Sequence, residues 1–199
     1  MKYYDVVLYT FVLSAFFMTL AFDSSSADAK DEPLVLIKTS LGDMEAKLFH
    51  ERSSESVKNF LSYVDEFYYN NTLFHRVIPG FMIQGGGWNV NMVKLPTKPP
   101  IVNEASNGLL NRRGTLAMAR TGAPHSATSQ FFINVENNAF LDHKDKTPQG
   151  FGYTVFGEVT KGMDVVDAIS KVRTKKATNS EALPVEPVVI LSITRIEAE

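Results

Sequence analysis

Short apolar segments, each bounded by turn residues, constrain the fold of this chain more than any other feature. They lie at residues 34–39, 44–48, 72–77, 81–84, 115–119, 130–135, 153–159 and 188–196. Most of them are too short for a helix, and the last is rich in β-branched residues, which favour strands. The pattern predicts an all-β fold rather than an alternating α/β fold, but periodicity alone does not choose between a barrel and a sandwich.

Two stretches have apolar residues at helical spacing instead. The first contains Val57, Phe60, Leu61 and Val64, and the second contains Val165, Val166, Ile169 and Val172. Ser53 or Ser54 can cap the first helix, because a serine hydroxyl can accept hydrogen bonds from free backbone N–H groups. Residues 85–108 are rich in glycine, proline and asparagine and are predicted to form a long loop, as are the basic residues around 173–176.

The first 29 residues have the pattern of a signal peptide. Lys2 provides a thin positive region, residues 6–22 are apolar, and Ala27-Asp28-Ala29 is a small-residue cleavage pattern. An uncleaved membrane anchor is the alternative, although the apolar stretch is just short of the ~20 residues that usually span a bilayer. We therefore predict a signal peptide at residues 1–29, one domain at residues 30–199, and no stable membrane insertion after cleavage. The last four residues are not an endoplasmic-reticulum retrieval signal, which favours the bacterial periplasm, with secretion as the alternative.

Composition excludes several classes of function. The formal net charge is −2 and the basic residues are scattered, so there is no electrostatic footprint for nucleic acid. The chain has no cysteine, which excludes disulfides, zinc–thiolate sites and thiol nucleophiles. The histidines show no metal-ligand spacing. We expect no metal, no cofactor, and a monomer, since nothing in the sequence suggests an interface.

Two segments mix strand-forming apolar residues with polar groups that a core strand does not need. The first is FHRVIPGFMIQGG at residues 74–86, and the second comprises GTLAMAR at residues 114–120 and SATSQFFIN at residues 126–134. An arginine inside an apolar run, such as Arg76, must be paired, exposed or used. In this order and spacing the segments resemble the signature blocks of the cyclophilins, a family of peptidyl-prolyl cis–trans isomerases. The resemblance covers residues 34–196, and residues 124–128 and 144–152 resemble the bacterial branch.

The resemblance implies a closed eight-stranded antiparallel β-barrel capped by two α-helices, with the active site on the outer face of the barrel. It implies catalytic roles for Arg76 and Gln84, with Gln84 bonding the substrate backbone and helping to orient Arg76. The substrate-binding residues that it implies are Phe81, Met82, Ala119, Arg120, Gln130, Phe132, Phe140, Leu141 and Tyr153. The partners would be proline-containing polypeptides. Phe140 stands where many eukaryotic relatives have a tryptophan, so we expect weak cyclosporin binding.

Each of these residues also has a plainer interpretation. Arg76 alone could be a paired surface arginine, and Phe81, Met82 and Phe132 could be core residues. A proline-peptide-binding chaperone that acts without catalysis is the alternative function. Such a binder could lose the arginine, so the presence of Arg76 together with the apolar set favours an isomerase that assists the folding of exported proteins.

Overall fold

The computed structural model describes residues 32–178 and 180–197. The predicted signal peptide at residues 1–29 therefore lies outside the described residues. No helix in this described part of the chain is long and apolar enough to cross a membrane.

The described residues form ten strands and two α-helices. In chain order they are β1 (Leu34–Thr39), β2 (Gly42–Leu48), α1 (Ser54–Asp65), β3 (Thr72–Ile78), β4 (Met82–Asn89), β5 (Thr115–Met118), β6 (Phe131–Asn134), β7 (Val155–Lys161), α2 (Met163–Ser170), β8 (Thr174–Ala177), β9 (Ser180–Pro184) and β10 (Val189–Ile196). Short 3₁₀ turns lie at Ala105–Asn107 and Ala139–Leu141.

Eight of the strands close into one antiparallel barrel in the order β1-β10-β3-β4-β6-β5-β7-β2. The first and last strands meet in this closure, because β1 pairs with β10 from Leu34↔Ile196 onwards and with β2 from Leu34↔Lys47 onwards. Every strand that the sequence predicts is present in the barrel. The prediction of a closed eight-stranded antiparallel barrel with two helices is therefore confirmed.

Both helices bury one apolar face, as their spacing predicts. In α1 the ring of Phe60 is fully buried and lies 5.4 Å from the ring of Phe131 and 5.2 Å from that of Phe156, centroid to centroid. In α2, Val166 and Ile169 are fully buried. The helix ends at Ser170, so Val172, which was expected on its apolar face, lies after the helix. Val172 is partly buried and still packs against the core.

The N-terminus of α1 is capped by a distant residue, which corrects the sequence expectation. Ser53 is at the capping position but its hydroxyl donates to the carbonyl oxygen of Val155, 2.7 Å away. The carboxylate of Glu104 instead accepts hydrogen bonds from the backbone N–H groups of Glu55 and Ser56, at 3.1 and 2.9 Å. A carboxylate at this end of a helix also interacts favourably with the helix dipole.

The long loop predicted at residues 85–108 begins later than expected, because β4 continues through three glycines to Asn89. A Cβ atom on Gly86 would lie 2.8 Å from the Tyr69 ring, and Gly86 has a φ of +80°, which disfavours other residues. On Gly87 a Cβ would lie 2.6 Å from the side chain of Gln130. The glycines therefore allow close packing inside a strand instead of forming a turn.

The basic segment predicted as a solvated loop is part of a hairpin. Lys175 lies in β8, which pairs antiparallel with β9 in a separate two-stranded sheet. Periodicity did not reveal β8, because its residues are exposed on both faces, apart from the half-buried Ala177. This hairpin packs through β9 against β3, and it thereby lies beside the strand that carries Arg76.

Candidate functional site

The predicted site residues surround one open cavity of about 300 Å³. The cavity is lined by Arg76, Phe81, Met82, Gln84, Ala119, Arg120, Phe132, Phe140, Leu141 and Tyr153. Gln130 is the predicted residue that does not line it, and it borders a neighbouring cavity instead. Residues from two sequence segments and two later loops thus meet at one place on the barrel.

Strand alternation places this cavity outside the barrel. Arg76 on β3 is paired with Gln84 on β4, which is paired with Phe132 on β6. Their neighbours on β4 and β6, Ile83 before Gln84 and Ile133 after Phe132, belong to the main core. Because successive side chains of a strand point to opposite faces, the cavity residues lie on the outer face. The expected position of the site is consistent with this register.

The floor of the cavity is apolar and forms a second hydrophobic cluster, separate from the main core. Its buried members at the cavity are Met82, Phe132 and Leu141, which are 1%, 4% and 8% exposed. The ring of Tyr153 lies edge-on to that of Phe132, with 5.7 Å between centroids. These side chains are therefore both core residues and cavity lining, so the two interpretations of the sequence are compatible.

Two phenylalanines form the rim. The ring of Phe81 lies 5.5 Å from that of Phe140, and Phe140 is 63% exposed. Asn138 donates a hydrogen bond to the carbonyl oxygen of Phe81 at 2.9 Å and another to the side chain of Asn134 at 2.8 Å. Asn138 thus holds the Phe81 backbone in place. No pattern in the sequence predicts a role for this residue, because its amide acts through a contact 57 positions away.

The guanidinium of Arg76 lies over the edge of the apolar floor. Its Nη1 is 3.8 Å from the sulfur of Met82, and its Cζ is 5.8 Å from the centre of the Phe81 ring. Its Nη2 is 3.8 Å from a carboxylate oxygen of Glu181 on β9. Within the described residues none of these contacts is a short hydrogen bond to oxygen, so the donors of Arg76 can reach a bound molecule.

Gln84 has a different partner from the one expected. Its side-chain N–H₂ donates to the side-chain oxygen of Gln130 at 3.0 Å, and no hydrogen bond joins it to Arg76 in the described structure. This pair separates the cavity from a second one of about 350 Å³, which shares Gln84, Ala119 and Arg120 with the first. In the described residues, no direct hydrogen bond from Gln84 supports the expected role of Gln84 in orienting Arg76.

Arg120 is held by backbone carbonyl groups. Its Nε donates to Gly152 at 2.9 Å, its Nη1 to Thr121 at 2.9 Å, and its Nη2 to Pro148 at 3.0 Å. Its Cζ also lies 4.6 Å from the centre of the Tyr153 ring, a favourable cation–π distance. Arg120 therefore fixes the loop before Tyr153 and the position of the Tyr153 ring, while its outer edge lines both cavities.

His75 adjoins Arg76 in sequence but lies outside the cavity lining. Its ring is buried, 6.2 Å from the ring of Trp88, and its Nδ1 has no hydrogen-bond partner within the described residues. The pKa of the His75 imidazole is lowered to about 4, mainly by burial; a hydrogen bond with the Leu73 backbone raises it, and the charge of Arg76 contributes to the lowering. The ring is therefore neutral at pH 7.

No group of three or more histidine, cysteine or carboxylate side chains could hold a metal ion among residues 32–178 and 180–197. The cavity lining offers the guanidinium groups of Arg76 and Arg120, the side-chain amide of Gln84 and an apolar surface. A positive group beside an apolar depression suits a ligand that combines a compact apolar ring with a hydrogen-bond acceptor.

The sequence is similar to a well-populated family of enzymes. The family model described as cyclophilin type peptidyl-prolyl cis-trans isomerase/CLD matches residues 34–195. Peptidyl-prolyl cis-trans isomerase B of Escherichia coli (strain K12) is 56% identical over 161 residues, which are 81% of this chain and 98% of the relative. Peptidyl-prolyl cis-trans isomerase A of Dickeya dadantii (strain 3937) is 54% identical over 158 residues, which are 79% and 82% of the two chains.

Solved structures support the same assignment. A cyclophilin type peptidyl-prolyl cis-trans isomerase of Cryptosporidium parvum superposes with a TM-score of 0.70 at 27% identity, covering 84% of this chain and 99% of that chain. The structure of that protein in the presence of the dipeptide Ala-Pro has a TM-score of 0.68 at 27% identity and covers 83% and 99%. This chain therefore belongs to the cyclophilin family and is a peptidyl-prolyl cis–trans isomerase.

Proposed function

We propose that the cavity of about 300 Å³ is the active site, and that it binds the proline ring of an X–Pro segment on Met82, Phe132 and Leu141. The observation that carries the proposal is the position of Arg76, whose donors lie beside this apolar floor without a short hydrogen bond to a protein oxygen in the described residues. The ring would be held while the preceding acyl group turns. The Cryptosporidium parvum relative, solved in the presence of Ala-Pro, supports the ligand class.

The reaction breaks no covalent bond, so catalysis has to favour a twisted peptide. Amide resonance sets a barrier of ~18–20 kcal/mol to rotation, and the twisted nitrogen regains a lone pair that can accept a hydrogen bond. Arg76 would donate to that nitrogen, or to the rotating carbonyl, more strongly at the twisted geometry than in either planar state. Binding energy that appears only in the transition state is what accelerates a reaction. An arginine suits this role because it remains charged at every relevant pH.

The residue before proline would lie extended along residues 119–121. The backbone N–H of Ala119 already donates to the carbonyl oxygen of Gln130 at 3.0 Å, so Ala119 would contribute its carbonyl oxygen to the substrate. Gln84 and Gln130, joined at 3.0 Å, would contact the substrate backbone as a pair. Arg120 would act mainly by holding Tyr153 at the edge of the cavity.

The substrates that we propose are unfolded or partly folded exported proteins in the bacterial periplasm. The support is the signal-peptide pattern of residues 1–29, with its apolar stretch and its Ala27-Asp28-Ala29 ending. We expect the enzyme to act as a monomer, without a cofactor. We also expect weak cyclosporin binding, because Phe140 lacks the indole N–H donor that a tryptophan would supply.

The test is Arg76→Ala, assayed with a short X–Pro peptide by NMR exchange, which needs no coupling protease. We expect kcat/KM to fall about 100- to 1,000-fold, the usual cost of removing one donor from a transition-state site. Peptide binding should stay nearly unchanged, since the apolar floor is intact. Arg112→Ala is the matched control, because Arg112 is exposed and loses the same charge.

Two outcomes would change the proposal. If Arg76→Ala and Arg112→Ala both keep full activity, Arg76 is not the catalytic residue. If the well-folded parent binds proline peptides without accelerating their exchange, the alternative of a chaperone that acts without catalysis is favoured for this chain. The X–Pro bond exchanges over tens to hundreds of seconds unaided, so acceleration is easily measured.

A further inference from the structure

The β8–β9 hairpin brings an acidic side chain to the proposed active site. Glu181 lies on β9, and its carboxylate oxygen is 3.8 Å from Nη2 of Arg76. It is the acidic residue that pairs with Arg76 within the described part of the chain. The lysines of β8, Lys175 and Lys176, are exposed and form no ion pair with Glu181 among these residues.

The Arg76–Glu181 contact is loose, so both charges remain available to a third group. Its length of 3.8 Å exceeds that of a hydrogen bond, and the side chain of Glu181 is 83% exposed. An exposed pair of this kind contributes little to stability. The pair can still interact electrostatically with a charged ligand, because a substrate would bring its own charges within a few ångströms of it.

The order of strands indicates which part of a substrate meets Glu181. In the barrel the order is β3, β4, β6 and β5, and β9 of the separate hairpin packs against β3. Glu181 therefore lies beside β3 at one end of this row, and Ala119, just after β5, lies at the other. The residue before proline is proposed to lie along residues 119–121. With the proline ring between, the residues that follow proline would extend towards Arg76 and Glu181.

We propose that Glu181 is a specificity-determining residue that favours substrates with a lysine or arginine after proline over substrates with an acidic residue there. Without Glu181 the charge of Arg76 would dominate this end of the site, attracting carboxylates and repelling cations. Glu181 offsets that charge and adds an acceptor for a substrate cation. The proposal rests on the proposed position of the substrate relative to Arg76.

The measured quantity is the ratio of kcat/KM for two peptides that differ only in a lysine or a glutamate directly after proline. We expect Glu181→Gln to lower this lysine-to-glutamate ratio about twofold to fivefold, the size of effect that an exposed pair of unit charges produces. Glu181→Lys should lower it further. Added salt should reduce the difference between parent and variants, because exposed charges are screened.

Glu186→Gln is the matched control, because Glu186 is an exposed glutamate five positions along the chain and forms no ion pair with Arg76 in the described structure. It makes the same change in net charge, so its ratio should equal that of the parent. A second peptide pair, with the charge before proline, should respond less to Glu181→Gln. A third peptide with glutamine after proline measures activity free of substrate charge.

Each result decides the matter. A ratio that falls in Glu181→Gln but not in Glu186→Gln supports the proposal. An unchanged ratio, an equal fall in both variants, or a larger effect for charges before proline would overturn it. If one of these contradicting results is found but the parent accelerates the glutamine peptide normally, the role of Glu181 is refuted and the proposed function is not. If the parent does not accelerate the glutamine peptide, the proposed function fails and the inference fails with it.

Discussion

At the scale of single residues, His75 couples the stability of the site to pH. Burial lowers the pKa of its imidazole from about 6.5 to about 4, so the unfolded chain binds more protons than the folded one between these values. The stabilising contribution is complete above pH 6.5 and is lost as the pH falls towards 4. At about 1.36 kcal/mol per pKa unit, we expect His75 to account for up to about 3 kcal/mol of acid destabilisation, measured by urea unfolding from pH 7.5 to 4.5.

The variant that isolates this effect is His75→Gln, because carboxylates also contribute to acid unfolding in the parent. We expect a flatter decline of the free energy of unfolding with decreasing pH in His75→Gln. His50→Gln, at a half-buried position, controls for the loss of a histidine. If the free energy of unfolding falls equally with pH in the parent and in His75→Gln, the buried ring does not cause the loss of stability in acid.

The site residues that could be predicted lie close together in the sequence, and those that could not be predicted come from distant positions. Arg76, Phe81 and Gln84 lie in one continuous segment, so their types and spacing can be seen together. Glu181 follows Arg76 by more than a hundred positions, and only the packing of β9 on β3 brings them within 3.8 Å. The hydrogen bond from Gln84 to Gln130 likewise depends on a strand register that the spacing of residues does not determine.

At the scale of elements, α1 depends on Glu104 for its N-terminal cap. The carboxylate accepts from the N–H groups of Glu55 and Ser56 and from the Ser56 hydroxyl, the last at 2.7 Å. We expect Glu104→Ala to lower the free energy of unfolding by about 1–2 kcal/mol, as for the loss of other helix caps, and Glu104→Gln to cost less because one acceptor oxygen remains. Urea unfolding at pH 7 measures both.

Glu51→Ala is the comparison for this helix, because Glu51 is exposed and precedes α1. It should change the free energy of unfolding by less than about 0.5 kcal/mol, as most surface substitutions do. A loss in Glu51→Ala equal to that in Glu104→Ala would indicate a general charge effect instead of a cap. The activity of Glu104→Ala should persist at temperatures where the variant is folded, since Glu104 does not line the cavity.

Elements were predictable where apolar pattern and structure coincide. Both helices bury one face, and the barrel strands are rich in buried apolar residues, with β5 and β6 buried along their whole length, so burial leaves an apolar pattern in the sequence. The hairpin of β8 and β9 left no such trace, because β8 is almost wholly exposed. The glycines of β4 were misinterpreted for a related reason. Glycine usually marks turns, but Gly86 and Gly87 are needed where the backbone passes Tyr69 and Gln130 too closely for a Cβ atom.

At the scale of the whole molecule, the barrel closes through its first strand. β1 is hydrogen-bonded to β10 on one side and to β2 on the other, so it joins the two ends of the described chain. The contacts of the described barrel reach back as far as Pro33, whose carbonyl oxygen accepts from Leu48 at 2.8 Å, and Glu32, whose carboxylate lies 3.3 Å from the Lys47 amine. A chain that begins at Lys30 would keep all of these contacts.

All eight strands of the described barrel lie between Leu34 and Ile196, which is compatible with the proposed signal peptide at residues 1–29. We expect the protein to be found in the periplasmic fraction of an exporting bacterial host. After purification, its intact mass should correspond to residues 30–199. Ala29→Phe should retain the leader and remain with the membrane, because a large side chain blocks a small-residue cleavage site. A mass that includes Met1 in the parent, or equal processing of parent and variant, would contradict cleavage after Ala29. A processed enzyme in the cytoplasmic fraction would contradict export to the periplasm, and the exported substrates proposed for it would then have to be replaced by cytoplasmic ones.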